Sequence, residues 1–460
     1  MSPPSHSIVE VSNHITLSEV LAALSRALDL TEGQPAGHTV RTCVIGLRLA
    51  DALGLDPDDR AALRYALLLK DAGCSSNAAR LSALFGSDDR TVKPRMKLVD
   101  WHQRMRLAVH TFRNAALGRS LDDRVRHFLR IARTKDMTRD LIQIRCERGA
   151  EIARALGFPE ETACAIRSLD EHWNGGGHPD GLSRERIPLL ARIANLAQVV
   201  EVFHREHGLE GALRVARMRR GRWFDPELVD ALLSWHTDRG WWDELRNADE
   251  SSHVVRAARS DRDEQPVGDH TLDEVARAFA DIIDAKSPYT FRHSTNVADL
   301  AVGVSAALGH DVEAQHRLRR AGLLHDIGKL GVSNRILDKA GPLTTAERAE
   351  VERHPLYTWE ILSRVRAFDD FAMLAAVHHE KLDGSGYPWG LRGDALEISA
   401  RALAVADMFE ALTADRPYRA GLTQDEAMAI LRRDAGTKVC AEAIAGLETH
   451  LARVTAAVSG

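Results

Sequence analysis

Apolar residues recur three, four, seven or eight positions apart along most of this chain, which is the spacing of one face of an α-helix. One such stripe begins at His293 and continues through Val297, Leu300, Ala301 and Val304, so the imidazole of His293 is expected to point inward. Abundant alanine, leucine and arginine with only 5% aromatic residues also favour helix over strand. The pattern predicts an all-α protein.

Other residues of the types that bind metals lie in or beside further apolar stripes of the C-terminal half. They are His325 with Asp326, His354, the pair His378 and His379, and Asp407. Pro355 follows His354 directly, and proline is tolerated in the first turn of a helix. One inward histidine is ordinarily a hydrogen-bonded core residue. A converging set of imidazoles and carboxylates requires mutual pairing or metal to be stable in a core, so a metal site is predicted.

The types and spacing of these donors indicate which ions would fit. Nitrogen and oxygen donors without cysteine suit iron, manganese, zinc and similar ions better than a structural zinc knot. The adjacent donors His325 and Asp326, like His378 and His379, suit two neighbouring ions, because one carboxylate can bridge them. Two-metal sites of this kind hold their ions about 3.5–4 Å apart and generate a hydroxide that attacks phosphorus.

Nearby sequence adds groups suited to a phosphorylated ligand. Lys329 follows the predicted ligand Asp326 by one helical turn and can supply positive charge to a phosphate oxygen or a leaving alkoxide. A turn-rich stretch and a basic stretch follow downstream, and their candidate substrate contacts are Gly386, Tyr387, Pro388, Arg416 and Arg419. The alternatives are a plain surface loop for the first stretch and solvated side chains for the arginines.

The order of these motifs resembles an HD-GYP domain, a branch of the HD phosphohydrolase superfamily, from about Thr271 to Leu451. The resemblance implies an all-helical domain with a two- or three-metal centre that hydrolyses cyclic di-GMP to pGpG, GMP or both through a metal-activated hydroxide. It implies that Asp326 bridges the ions and that Lys329 contacts the scissile phosphate, which makes these two the catalytic residues. The implied metal ligands are His293, His325, Asp326, His354, His378, His379 and Asp407.

Three positions depart from the pattern of that family. Members with a third metal carry a glutamate one helical turn before the first histidine, where this chain has Tyr289. We therefore expect two divalent ions, with iron or manganese favoured and zinc, nickel, cobalt or magnesium as other candidates. Arg292 replaces the usual glycine before His293, and Asn296 replaces the usual arginine after it.

The N-terminal half reads as a degenerate copy of the same unit. His38 and Asp71 match two of the ligands, but the remaining ligand positions are occupied by Lys70, Arg145, Leu169, Asp170 and Gln198, and Cys74 stands where the catalytic copy has Lys329. An ammonium and a guanidinium cannot donate lone pairs to a metal. We predict that this half binds no catalytic metal and that Lys70 and Arg145 pair with Asp71 and Asp170; ordinary surface charges are the alternative.

Length and composition agree with two tandem helical-bundle domains in 460 residues. The predicted division is residues 1–245 as the degenerate domain, regulatory or dimerising, 246–270 as a linker and 271–460 as the catalytic domain. No apolar run approaches the roughly 20 residues of a membrane span, and no signal-peptide core is present. Five scattered cysteines favour reduced thiols. A cytoplasmic protein with no membrane contact is expected, and a homodimer is a further expectation.

Three functions follow from these observations. The first is a metal-dependent cyclic di-GMP phosphodiesterase. The second is an HD-type phosphohydrolase acting on another nucleotide or cyclic dinucleotide. The third is a non-catalytic signalling module that binds a cyclic dinucleotide or a protein. A net charge of −5 argues against DNA or other bulk polyanions as partners, whereas a small phosphorylated ligand requires only a local positive site.

Overall fold

The computed structural model describes residues 16–85, 90, 137–246, 248, 267–415 and 419–459. Within these residues the chain forms α-helices and short 3₁₀ turns, with isolated β-bridges and no β-strand. The all-α prediction is confirmed. Across the same residues, every helix is too short or too polar to cross a membrane.

The helices of the N-terminal half come first along the chain. They are α1 (Leu17–Thr31), α2 (His38–Leu53), α3 (Pro57–Leu69), α4 (Ala78–Phe85), α5 (Met137–Ala155), α6 (Glu160–Arg167), α7 (Leu189–Arg219), α8 (Pro226–Leu233) and α9 (Arg239–Arg246). A 3₁₀ turn, Ala72–Asn77, follows α3 and packs against α5. Asp56 fixes the start of α3, because its carboxylate accepts the backbone N–H groups of Asp58 and Asp59 at 3.0 and 2.9 Å.

The C-terminal half repeats much of this order. Its helices are α10 (Asp269–Asp284), α11 (His293–Ala307), α12 (Val312–Leu324), α13 (Asn334–Leu337), α14 (Thr345–Val351), α15 (His354–Leu362), α16 (Ala372–Ala376), α17 (Ile398–Thr413), α18 (Gln424–Arg433) and α19 (Ala441–Ser459). The 3₁₀ turn Ile327–Gly331 follows α12 and packs against α15, as Ala72–Asn77 packs against α5. In the core, α11 contacts α12, α17 and α19.

Equivalent local contacts support the reading of the two halves as copies. In the N-terminal half the buried carboxylate of Asp29 accepts the backbone N–H and the hydroxyl of Thr39, at 3.0 and 2.8 Å. In the C-terminal half Asp284 accepts the same two groups from Ser294, at 3.2 and 2.7 Å. Each carboxylate thus holds the first turn of a helix that begins with a histidine, His38 for α2 and His293 for α11.

The two halves are packed together through their first helices. Helix α1 contacts the turn Ile327–Gly331 and α15 of the C-terminal half, while α10 contacts the turn Ala72–Asn77 of the N-terminal half. Buried apolar side chains from both halves join in one cluster that includes Leu24 and Leu28 of α1 and Ile327 and Leu330 of the turn. The halves therefore share apolar core, although most of the segment 246–270 that was predicted to link them lies outside the described residues.

The residue before α11 adopts an unusual backbone conformation. Arg292 has φ 59°, in the left-handed region, and Gly37 has φ 80° at the equivalent position before α2. Only glycine adopts this conformation without strain, because a Cβ approaches the neighbouring carbonyl oxygen. Arg292, which replaces the glycine usual at this position, therefore lies where the chain requires positive φ.

Candidate metal centre

The structure brings the seven predicted ligands into one buried site, supplied by five segments of the C-terminal half. His293 and His354 are the first residues of α11 and α15, and Asp407 lies within α17. His325 directly follows α12 as its C-cap, and Asp326 precedes the 3₁₀ turn. The predicted helical phase fails for His378 and His379, because α16 ends at Ala376 and both residues lie in the turn beyond it.

Asp326 occupies the middle of the site, with its two carboxylate oxygens facing different histidines. Oδ2 lies 3.3 Å from Nε2 of His293 and 3.4 Å from Nε2 of His325. Oδ1 lies 3.3 Å from Nε2 of His354 and 3.7 Å from Nε2 of His378. This arrangement suits a carboxylate that bridges two ions.

The remaining donors complete two groups around Asp326. Donor atoms of His293, His325 and Asp407 all lie within 4.8 Å of one another, and the same holds for His354, His378 and His379. Asp407 Oδ1 lies 3.4 Å from His293 Nε2, and its Oδ2 lies 3.8 Å from His379 Nδ1, so this side chain reaches both groups. The geometry offers two adjacent sites with nitrogen and oxygen donors.

The ring orientation of the buried histidines is set by their other nitrogen atoms. The Nδ1 atoms of His325, His354 and His378 each lie 2.7 Å from a backbone carbonyl oxygen, so Nδ1–H donates and Nε2 faces the centre. His293 Nδ1 instead contacts the carboxylate of Glu410, one turn beyond Asp407 on α17. Such outer contacts fix the tautomer that a metal ligand needs.

Glu410 is a functional candidate that the sequence reasoning missed. It is buried, and it lies three residues after Asp407 on the same face of α17. A sequence signal existed, because the degenerate copy keeps the same spacing as Gln198 and Glu201, and Glu201 contacts Nδ1 of His38 in the same way.

Several central atoms have the character expected of metal donors. Nε2 of His293, Nε2 of His325 and Oδ1 of Asp326 are fully buried and make no hydrogen bond of acceptable geometry within the part of the chain that the structure describes. Buried polar atoms are ordinarily satisfied, since leaving one unpaired costs about 1–3 kcal/mol. A pair of divalent cations would satisfy all three atoms at once, so the residues present fit the proposed ions.

The electrostatics of the centre separate its two groups of histidines. Burial lowers the pKa of His378 well below its ordinary value, helped by the neighbouring His379, and burial together with His354 lowers the pKa of His379 to about 3. These imidazoles are neutral and have a lone pair to donate. Burial opposes the charged form of His325 too, but Asp326 and Asp407 outweigh it and raise its pKa to about 10. A proton on His325 therefore balances the negative charge of Asp326 and Asp407, which a bound cation would otherwise balance.

Lys329 lies beside the carboxylate of Asp326. Its Nζ is 2.5 Å from Asp326 Oδ2, and the side chain is partly exposed on the wall of a cavity. Burial of Asp326 opposes its charged form, but His325 and Lys329 hold the pKa of this carboxyl well below its usual range. The ammonium is therefore placed at the boundary between the donors and the open space in front of them.

The loop that contains Gly386, Tyr387 and Pro388 is held in place by Glu380, the residue after His379. The carboxylate of Glu380 accepts the backbone N–H groups of Trp389, Gly390 and Leu391 at 2.7, 3.1 and 3.0 Å. Tyr387 is brought against the centre, with its ring centroid 4.8 Å from that of His379. The peptide bond between Tyr387 and Pro388 is cis. The loop thus packs on the donor set, with Gly386 and Pro388 flanking the tyrosine.

A cavity of about 840 Å³ opens directly from the centre. Its inner end is formed by His293, Asp326, His379 and Asp407. The rest of the lining includes apolar side chains and positive side chains, and the positive ones are Lys286, Lys329, Lys339, Arg348 and Arg419. Tyr289, at the position of the third-metal glutamate, also lines the cavity.

Of the two arginines predicted to contact substrate, the structure describes Arg419. The guanidinium of Arg419 donates to the carbonyl oxygens of Ala411 and Leu412, at 2.6 and 2.9 Å, and so caps the C-terminal end of α17 while lining the cavity. Arg416 lies outside the described residues.

In the N-terminal half the equivalent site is filled by side-chain cations. Lys70 is ion-paired with Asp71, and its Nζ lies 3.3 Å from His38 Nε2. Arg145 is ion-paired with Asp170. The predicted pairing is confirmed: Lys70 and Asp71 are buried, and Arg145 and Asp170 are largely buried.

Comparison with known proteins agrees with this geometry. The model of the HD domain family matches residues 127–228 and 277–442, a segment in each half. Over 442 residues the chain is 43% identical to 3'3'-cGAMP-specific phosphodiesterase 3 of Vibrio cholerae, covering 95% of both chains. Over 168 residues it is 39% identical to a cyclic di-GMP phosphodiesterase response regulator of Xanthomonas campestris, covering 36% of this chain and 43% of that one.

A solved structure matches across both halves. The crystal structure of a cyclic GMP-AMP specific phosphodiesterase of Vibrio cholerae superimposes with a TM-score of 0.65 and 38% identity, covering 95% of this chain and 98% of that chain. The chain therefore belongs to the HD domain family, in its HD-GYP branch. The resemblance noted in the sequence is confirmed.

Proposed function

We propose that this protein is a metal-dependent phosphodiesterase that hydrolyses a cyclic dinucleotide in the C-terminal half. The proposal rests on one observation above all. Two groups of three donors meet at Asp326, all of them buried except the partly exposed His379, and Asp326 lines a cavity large enough for a ligand. Ligand pockets typically enclose about 300–1,000 Å³, so the cavity of about 840 Å³ is of suitable size.

In this proposal the chain places each group around the scissile phosphodiester. Two divalent cations, held by the seven ligands, would supply an activated water and neutralise charge on the phosphoryl oxygens. Lys329, at the junction of centre and cavity, donates to a non-bridging phosphate oxygen as charge builds on it. Gly386, Tyr387 and Pro388 bound the approach to His379 and set how closely the substrate reaches the centre.

The rest of the cavity suits the other parts of a cyclic dinucleotide. A second phosphate requires positive charge away from the metals, and Lys339, Arg348 and Arg419 line the cavity. Nucleobases require apolar surface, and the same lining includes Ile336, Leu337, Pro342, Leu343, Met408 and Leu412. Both requirements are met within one cavity.

Two substrates of this class are favoured by different observations. The motif order of the C-terminal half favours cyclic di-GMP. The relative that matches over 95% of both chains is named for its action on 3'3'-cGAMP, and the match to it spans both halves of this protein. We propose 3'3'-cGAMP as the preferred substrate and cyclic di-GMP as the second candidate.

We further propose a division of labour between residues 271–460, which carry out hydrolysis, and residues 1–245, which bind no catalytic metal. Supporting this division, Lys70 and Arg145 lie at the positions where His325 and His354 lie in the other half. Cations at these positions repel a second set of ions.

The test is hydrolysis by the purified full chain with manganese or ferrous iron. Linear products are followed from 3'3'-cGAMP and from cyclic di-GMP, alongside the variants His325→Ala and Asp326→Ala. Metal-dependent turnover that both variants lose supports the proposal, and the ratio of kcat/KM for the two substrates decides between them. Binding of either ligand to the metal-loaded protein without turnover would instead support a non-catalytic signalling module.

A further inference from the structure

Helix α1 of the N-terminal half is buried around nearly its whole circumference. Five consecutive residues, Ala27 to Thr31, are all buried, although consecutive residues on a helix point in different directions. One layer of neighbours covers one face of a helix, so α1 requires a second layer. The C-terminal half supplies it through the turn Ile327–Gly331 and helix α15.

Two contacts reach the turn from the N-terminal half. Leu30, near the end of α1, packs beside Gly331, with its Cδ1 3.5 Å from where a Cβ on that glycine would lie. Arg90 donates from Nη1 to the carbonyl oxygen of Gly331, and the same nitrogen lies 3.4 Å from Oε1 of Glu350. Arg90 itself is fixed against the end of α1, because a Cβ on Gly33 would lie 2.0 Å from the Arg90 carbonyl oxygen.

The turn that these contacts hold carries two central groups of the metal site. It begins directly after Asp326 and contains Lys329, whose backbone N–H donates to the Asp326 carbonyl at 2.8 Å. The Lys329 carbonyl in turn accepts from the N–H of Val332, next to Gly331, at 2.9 Å. A shift at Gly331 is therefore transmitted through one short hydrogen-bonded turn to both functional side chains.

The opposite side of the turn is held within the C-terminal half. The hydroxyl of Thr358 accepts the N–H of Gly328 at 3.1 Å and donates to the carbonyl oxygen of His325 at 2.8 Å. The turn is thus clamped between α15 on one side and the α1 end of the N-terminal half on the other.

We propose that the degenerate half is a positioning partner of the metal centre, with Arg90 and Leu30 as its positioning residues. Neither residue belongs to the donor groups or to the lining of the cavity. They set where the turn lies, and hence how the bridging carboxylate of Asp326 and the ammonium of Lys329 face the two sites. The inference rests on the proposed function only for its activity readout, because metal binding is measured without substrate.

The test compares Arg90→Ala with a matched control in the full chain. Arg48 provides that control: its side chain is 26% exposed against 25% for Arg90, and it also makes an ion pair, to Asp238 at 2.7 Å, but within the N-terminal half. Manganese binding is measured by titration, and kcat and KM are measured separately. In Arg90→Ala we expect manganese to bind about tenfold more weakly and kcat to fall by a similar factor at unchanged KM.

Further variants separate positioning from loss of folding. Arg90→Lys keeps one donor for the Gly331 carbonyl and is expected to recover most of the manganese affinity. If Arg90→Ala does not fold, Glu350→Gln weakens the other partner of Arg90, the carboxylate 3.4 Å from its Nη1, and should lower the manganese affinity in the same direction. Equal manganese affinity in Arg90→Ala, Arg48→Ala and wild type overturns the inference. A wild type that binds two manganese ions but cleaves no cyclic dinucleotide contradicts the proposed function while leaving the comparison of affinities intact.

Discussion

Replacement of Glu410 by glutamine tests whether the carboxylate behind His293 is part of the metal centre. Glu410 is buried on α17, and its carboxylate contacts Nδ1 of His293, whose Nε2 faces Asp326 and Asp407. Glutamine keeps the size and one acceptor oxygen but removes the negative charge. The imidazole then becomes a weaker base, and its tautomer is less firmly fixed.

The expected magnitude follows from similar contacts at metal-ligating histidines. Loss of such a partner costs about 10–100-fold in metal affinity, which corresponds to roughly 1.4–2.7 kcal/mol. One of the two ions should be affected more than the other, because His293 belongs with His325 and Asp407 while the second group lies across Asp326. Titration of the metal-free protein with manganese should therefore show one weakened and one nearly unchanged binding step.

The chain contains its own control for this experiment. Glu201 contacts Nδ1 of His38 in the degenerate half with the same geometry, yet Lys70 fills the site beyond. Glu201→Gln should leave both manganese steps and kcat unchanged in the folded protein. The reasoning is refuted if Glu410→Gln binds both manganese ions with the affinities of wild type. It is also refuted if Glu201→Gln lowers these affinities as much as Glu410→Gln does.

Three further outcomes are expected. Arg292→Gly should raise the free energy of unfolding by about 1 kcal/mol in urea denaturation, because glycine relieves the positive φ of 59°; an unchanged midpoint would contradict this. Lys329→Met should lower kcat by about 100-fold while the metal content stays at the wild-type value, because the role proposed for the ammonium is to stabilise charge on the phosphoryl group; loss of metal in proportion to activity would argue for a structural role. Glu201 is fully buried, which opposes its charged form, but His38 and Arg41 lower its pKa from 4.5 to about 2. Its contribution to stability is therefore present above pH 4.5 and is lost as the pH falls towards 2, so the stability of Glu201→Gln should depend less steeply on pH across that range than that of wild type.

Helical phase predicted that His293 and His378 point inward, but it did not always predict the element that carries them. His293 starts α11 and heads a stripe in which Val297, Ala301 and Val304 are fully buried, as the spacing indicates. His378 continues the spacing of the preceding apolar residues, but α16 ends two residues earlier. The imidazole still points inward because a turn stabilised by the Ala375 carbonyl directs it there.

The supporting carboxylates were beyond the reach of pattern alone. Asp284, Glu380 and Glu410 are single carboxylates, and a carboxylate is ordinarily solvated. Their roles depend on contacts made by residues distant in sequence, such as Glu410 with His293, which are 117 positions apart. Comparison of the two copies would have identified them, since Asp29, Glu171 and Glu201 occupy the equivalent positions.

The degenerate half keeps these supporting carboxylates although its ligands are lost, and electrostatics explains why. Glu201 is buried with His38, and Arg41 contributes a further ion pair at 2.7 Å where the catalytic half has Asn296. Asp71, equivalent to Asp326, is buried beside Lys70. Removing metal from such a site leaves buried negative charge uncompensated, which costs several kcal/mol per group. In the N-terminal half, Lys70 and Arg145 compensate the negative charge of Asp71 and Asp170 without metal. These ion pairs are in agreement with the proposal that the N-terminal half binds no catalytic metal and supports the other half.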